Sequence, residues 1–296
     1  VGATGPRLSP GGRDRDAGPA ARVRLAVRAE LADVPVESPV AVAVSGGPDS
    51  LALLFATVAV AGPLRLPVAA LTVDHRWHAD SARVAAAVAA TARAAGCAPV
   101  EVLDARAAGP PPGDGPEADA RHARYALLDS AVARHGLVAV LLGHTLDDQA
   151  ESVLLGLARG SGARSLAGMP ARRGPYRRPL LPLRRAVVRA ALADLTDPAA
   201  AAVGPLPPGL PWQDPANTDR RHPRARIRAD VLPVLETALG PGAAAGLARS
   251  AGLLREGIEG VGVLARVVRL LAGRCGAGPL TAAHTRALAD LVRARS

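Results

Sequence analysis

Lysine is absent from this 296-residue chain, so its 36 basic residues are all arginine. That absence excludes a Walker-type phosphate loop, which needs a lysine before its closing Ser or Thr. With the excess of Ala, Gly and Pro, it reads as a coding bias toward GC-rich codons. Cysteine is scarce: Cys97 and Cys275 cannot build a disulfide framework and form no Cys-x-x-Cys pair. Aromatics are scarcer still. Phe55, Trp77, Tyr125, Tyr176 and Trp212 are too few for extensive base stacking. No run of eighteen apolar residues is free of charge, so no membrane span is expected, and no segment has the shape of a signal peptide. The cytoplasm is the expected compartment. Acids are outnumbered, leaving a net charge of +10, which suggests a polyanionic partner. The stronger sign is that arginines concentrate between residues 159 and 228.

What is present begins with Ser45-Gly-Gly-Pro-Asp-Ser50, between the apolar runs Val40–Val44 and Leu51–Phe55. The pattern predicts a buried strand, a tight polar turn and an apolar helix. Gly46 and Gly47 lack Cβ atoms, so their backbone N–H groups can approach an anion. Ser45 and Ser50 add hydroxyls, and Pro48 suits the first helical turn, where a missing N–H costs nothing. The helix dipole favours phosphate at this end. Asp49 makes sense beside phosphate through a cation such as Mg²⁺. A plain Gly-Ser turn is the bland alternative, and six specified residues in this context weigh against it. The pattern resembles the PP-loop ATP pyrophosphatase superfamily, whose members cleave ATP between the α- and β-phosphates.

Strand-like and helix-like segments alternate through the first half. Strands are expected at 40–44, 67–74, 98–103 and 137–143, and helices at 50–60, 80–95, 117–135 and 146–159. The order predicts an α/β fold, a doubly wound parallel sheet with helices on both faces. Ligands of such sheets sit beyond the carboxyl ends of the strands, where Ser45–Ser50, Asp74-His75 and His144–Asp148 fall. Residues 1–22 read as a disordered tail. A Gly/Arg loop is expected at 161–175, a short helix at 184–195, a Pro-rich connection at 197–223 and a helix at 224–238. Helices near 241–273 and 281–295 complete a smaller helical region. The expected organisation is a tail and lead-in helix over 1–38, an ATP-binding catalytic domain over 39–239 and a helical domain over 240–296.

Gly143-His-Thr-Leu-Asp-Asp-Gln-Ala-Glu151 is the second strong signal. Helical spacing brings Asp147, Asp148 and Glu151 together near a helix N-terminus. A solvated acidic turn would satisfy the helix dipole alone; at a strand end, three acids point to a site for a metal or an ammonium group. Arg121 and Arg124 share a helical face, and either could hold a phosphate, or simply lie on the surface. Asp214 and Asn217 are turn and cap formers. Arg224, Arg226 and Arg228 diverge on a helix, so one phosphate cannot engage all three.

Four motifs in order make the chain resemble the tRNA(Ile)-lysidine synthase family over nearly all of residues 38–296. They are Ser45–Ser50, Val73-Asp-His75, Gly143–Glu151 running into Arg159-Gly-Ser-Gly162, and Asp214-Pro-Ala-Asn217 with Arg224-Ala-Arg-Ile-Arg228. Thiolating PP-loop relatives with cysteine-ligated clusters are disfavoured by the cysteine count. The resemblance implies that ATP adenylates the C2 oxygen of the wobble cytidine in the CAU anticodon of an isoleucine tRNA. Free lysine then displaces AMP to give lysidine. It implies ATP contacts at Ser45, Gly46, Gly47, Pro48, Asp49, Ser50, Asp74, His75, Gly143 and His144. It further implies Mg²⁺ at Asp49, a phosphate contact at Arg124, lysine at Asp148 and Glu151, and tRNA at Arg159, Arg224, Arg226 and Arg228, and it leaves a homodimer open. The chain departs from the family at Arg76-Trp-His78, where Gly-Leu-Arg is usual, at Ser165 for Gly and at Ala225 for Asn. It opens on Val1, and the family's C-terminal region is often longer, so a truncated chain is expected. A small-molecule PP-loop synthetase and a non-catalytic tRNA-binding protein with a relic loop are the alternatives.

Overall fold

The computed structural model describes residues 18–76, 78–108, 113, 115–160, 163–197 and 206–255. In chain order the first elements are α1 (Pro19–Leu31), β1 (Val40–Ala43), α2 (Pro48–Ala61), β2 (Val68–Asp74), α3 (Ser81–Ala94), β3 (Val100–Asp104), α4 (Pro116–His135) and β4 (Ala139–Leu142). There follow α5 (Leu146–Ala158), α6 (Ala163–Leu166), β5 (Arg172–Arg173), β6 (Tyr176–Arg177), α7 (Arg185–Leu195), α8 (Pro223–Arg226), α9 (Leu232–Leu239) and α10 (Ala243–Arg255). Contacts divide the chain into two units, one holding the chain up to Gly143 with Ala186–Pro211, the other His144–Arg185 with the chain from Trp212 on.

The first unit is α/β, as its alternating apolar segments predict. Its strands run parallel in the order β3-β2-β1-β4. Val40 of β1 lies beside Val68 on one side and Ala139 on the other, so β1 is central. The chain moves outward from β1 to β3 and then crosses back to β4. Right-handed crossovers therefore place α2 and α3 on one face and α4 on the other. The order of strands reverses between β1 and β4, which makes their carboxyl ends the ligand crevice of such a sheet. α2 is apolar almost throughout because nearly all of it is covered: Leu51, Leu53 and Leu54 are fully buried, and α1, which buries Val23, Val27 and Leu31, packs on it.

The second unit gathers around α5. Ala150, Val153 and Leu154 pack with Ile227, Leu232 and Leu235 and with Ala244, Leu247 and Ala251 of α10. Packing thus continues past residue 240 into α10. β5 and β6 form a small hairpin pairing Arg173 with Tyr176 across Gly174-Pro175.

The expected helices and strands of the first 160 residues lie within a few residues of those found. Differences follow further on. The expected 224–238 helix is interrupted by a π turn at Ile227–Val231 just before Pro233. A proline has no N–H for the carbonyl four residues back, so the ladder shifts there. The expected 161–175 loop contains α6 and β5, pieces too short to show a period. The expected tail 1–22 gives way to helix at Pro19, and residues 1–17 lie outside the described residues, as do Cys275, the end of the 241–273 helix and the 281–295 helix. Among the described residues no single helix is long and apolar enough to cross a membrane.

Candidate active site

In the first unit, Ser45–Ser50 links β1 to α2, and Pro48 occupies the first turn of that helix. Ser50 is buried and holds the loop's shape. Its hydroxyl donates to the Gly47 carbonyl at 2.9 Å and accepts from the Ser45 N–H and the Ser45 hydroxyl, each at 3.2 Å. Gly46 has φ +85°, and a Cβ there would stand 2.8 Å from Val88 Cγ2. The loop therefore needs glycine at this point for conformation and for space. Gly143, just after β4, is pressed against the same helix start: a Cβ would lie 3.3 Å from the Ser50 N and Cα. Both glycines thus flank the point where strand order reverses, with the N-terminus of α2 between them. Unpaired N–H groups at a helix start suit an anion.

Asp74 ends β2, buried to 4% exposure, and His75 follows half-buried. Arg76 has φ +57° and grips Asp74 through its N–H and Nε, both at 3.0 Å, while Nη2 reaches Asp104 at 2.9 Å. The left-handed backbone strains an arginine at this point, and its two ion pairs offset that strain. Arg124 lies half-buried on α4, where Arg121 stacks on Tyr125 at 5.1 Å.

The second unit carries the acids. Thr145 caps α5, with its N–H and hydroxyl each donating to Asp148 Oδ2 at 2.7 Å. Glu151 is completely buried one turn later. Two arginines meet these carboxylates. Arg185 Nη2 lies 2.5 Å from Asp148 Oδ1, and its Nη1 and Nη2 lie 3.2 and 3.1 Å from Glu151 Oε1. Arg228 places Nε 2.8 Å from Glu151 Oε1 and Nη2 3.1 Å from Oε2, and its Nη1 donates to Asn217 Oδ1 at 3.2 Å. Burial alone would push the Asp148 carboxyl up. The Arg185 charge, the Thr145 donors and His144 outweigh it and hold Asp148 below the ordinary carboxylate range. Asp147 takes the Arg185 N–H at 2.7 Å and pairs with Arg184 at 3.3 Å. The arrangement can hold cations, and guanidinium groups already demonstrate that.

The sequence-predicted residues therefore separate by unit. Ser45–Ser50, Asp74, His75, Arg124 and Gly143 belong to the first, and His144, Asp148, Glu151, Arg159, Arg224, Arg226 and Arg228 to the second. Arg159 and Arg226 are exposed and Arg224 is half-buried, whereas Arg228 turns onto Glu151. Ala225 is buried, which leaves no room for display toward a partner. Sequence reading missed Arg185 and Gln149. Gln149 clamps Met169, donating to its carbonyl at 3.0 Å and accepting its N–H at 2.7 Å. An arginine opening a helix opposes the dipole, and that misfit was the available signal for Arg185.

A strand-order reversal with a Gly-rich phosphate turn defines a nucleotide-binding α/β protein, and a family model described as a PP-loop domain matches residues 22–235. The chain is 48% identical over 276 residues to a tRNA(Ile)-lysidine synthase of Thermobifida fusca, covering 93% of this chain and 79% of that one. It is 51% identical over 243 residues to that of Mycolicibacterium paratuberculosis, covering 82% and 68%. The chain belongs to the tRNA(Ile)-lysidine synthase family. Among solved structures, a U34-tRNA thiolase from Methanococcus maripaludis shares the fold with a TM-score of 0.62 at 19% identity, covering 81% of this chain and 80% of that one.

Proposed function

We propose that this chain uses ATP to join free lysine to C2 of the wobble cytidine in the CAU anticodon of an isoleucine tRNA, forming lysidine. The C2 oxygen attacks the α-phosphorus and pyrophosphate leaves. The ε-amine of lysine then forms a bond to C2, the C2–O bond breaks, AMP departs with that oxygen, and the amine gives up a proton. The observation that carries this reading is a Gly-rich turn at a strand-order reversal in the same chain as a carboxylate pair, Glu151 buried and Asp148 half-buried, that engages cations, in a family of this name.

Each residue has a part in that reading. Ser45–Ser50 and the start of α2 receive the phosphates, with backbone N–H groups aimed at the charge that develops on the leaving pyrophosphate. Asp74, His75, Gly143 and His144 border the rest of the nucleotide, and Arg124 meets a phosphate. Asp148 and Glu151 hold the lysine ammonium, which then competes with Arg228 for Glu151. Arg159, Arg224 and Arg226 face the tRNA backbone. Among the described residues no three His, Cys, Asp or Glu side chains cluster as a metal site. A single carboxylate, Asp49, nonetheless fits Mg²⁺, which is commonly held by one or two carboxylates and the substrate's phosphates. Bound there, it would neutralise phosphate charge. Action on tRNA suits a cytoplasmic protein.

The test is incubation with labelled lysine, ATP and an isoleucine tRNA transcript, followed by nucleoside analysis. Label in lysidine, dependent on ATP and on the CAU anticodon, is the expected result. ATP consumption with no label in RNA would reject the reading.

A further inference from the structure

We propose that Arg185 is the positioning residue of the Asp148–Glu151 pair, the fixed counter-charge that holds both acids correctly spaced for a substrate ammonium; this rests on the lysine reading above. Arg185 touches all three acids of α5. Its backbone N–H donates to Asp147 at 2.7 Å, one guanidinium nitrogen reaches Asp148 at 2.5 Å, and two reach Glu151 at 3.1 and 3.2 Å. The planar fork fixes the separation of the two carboxylates in a way a point charge cannot. Glu151 is fully buried, where a carboxylate without a counter-charge is costly to keep.

Arg185 and Arg228 are not equivalent. The Arg185 side chain is 11% exposed, pairs with both Asp148 and Glu151, and starts from a main chain whose N–H is tied to Asp147 of the same helix. Arg228 is 28% exposed, reaches Asp148 only at 3.7 Å and is tethered by Asn217. Once a substrate ammonium displaces Arg228 from Glu151, two carboxylates and the Arg185 guanidinium leave one negative charge, which that one cation satisfies. Arg185 therefore sets the site's charge at the value that suits a single ammonium group. Around the pair stand Arg185, Arg228, His144 and the Thr145 donors, with Arg184 on Asp147.

The experiment compares Arg185→Gln, Arg185→Lys and Glu151→Gln in the intact chain. It measures KM for lysine and for ATP, kcat, and the pH dependence of kcat/KM for lysine. Arg185→Gln should raise the lysine KM on the order of ten- to a hundredfold and leave the ATP KM within about twofold. Its acid limb should move to higher pH, because the Asp148 carboxyl then loses the charge that holds it low. Arg185→Lys should recover part of the loss and restore the limb. Equal effects on both substrates, or a lost kcat with an unmoved acid limb, would mean a merely structural role and overturn the proposal. If Glu151→Gln raises the lysine KM while Arg185→Gln does not, Arg185 has been misassigned. If neither does, the lysine reading itself fails. Should Arg185→Gln not fold, Arg185→Lys decides. A raised lysine KM supports the proposal, and a wild-type value overturns it.

Discussion

Individual residues carry the chemistry, and the sequence disclosed those whose role is local. Gly46 was legible because a turn shaped for an anion needs residues without Cβ, whereas Gly143 was named only through the resemblance. The structure adds that Gly46 is also packed against Val88. Gly46→Ala should cost roughly 1–3 kcal/mol in a denaturant titration, from overpacking and a strained left-handed backbone, and should weaken ATP binding as well. Wild-type stability and affinity would mean the loop relaxes freely. Asp148 makes a prediction about pH. Its carboxyl is held low by Arg185 and Thr145 against the effect of burial. It therefore stabilises the fold above the unfolded Asp value, about 3.9, and that stability is lost as pH falls through its lower folded value. Melting temperature measured from neutral to strongly acid pH should drop less steeply at the acid end in Asp148→Asn. Cys97 is buried and its thiol is pushed up to about 11, so peptide mapping should find it unalkylated at neutral pH until the protein unfolds. Arg185 escaped the sequence because a pairing across 34 residues leaves no local pattern beyond a cation at a helix start.

At the scale of elements, the parallel strands were readable because buried strands are short, continuous apolar runs bounded by turn residues. The β5–β6 hairpin and the π turn were not. Two-residue strands have no period, and Pro233 signals a break without saying what replaces the lost hydrogen bond. Helix α10 is held by its apolar face. Leu247 is 3% exposed and packs with Val153 and Leu235. Leu247→Ala should cost about 2–5 kcal/mol, read from urea unfolding. A loss below about 0.5 kcal/mol would show that α10 contributes little to that core. The same packing means that a chain ended at residue 240 should lose cooperative unfolding in the second unit.

For the whole molecule, the charge of +10 and the exposed Arg159 and Arg226 suit an electrostatic grip on the proposed tRNA substrate. Affinity should fall steeply with salt, and Arg226→Ala should reduce the slope of log K against log salt by about one phosphate contact. A slope equal to wild type would place the tRNA elsewhere. The charge pointed to nucleic acid; only the ordered motifs pointed to a particular RNA and reaction. The most direct measurement follows one oxygen atom. An isoleucine tRNA carrying ¹⁸O at C2 of its wobble cytidine is converted with ATP and lysine, and the released AMP is analysed by mass spectrometry. The account predicts one ¹⁸O in AMP for each lysidine formed, because the adenylated oxygen leaves with AMP. Unlabelled AMP, with the ¹⁸O retained in the RNA, would contradict it.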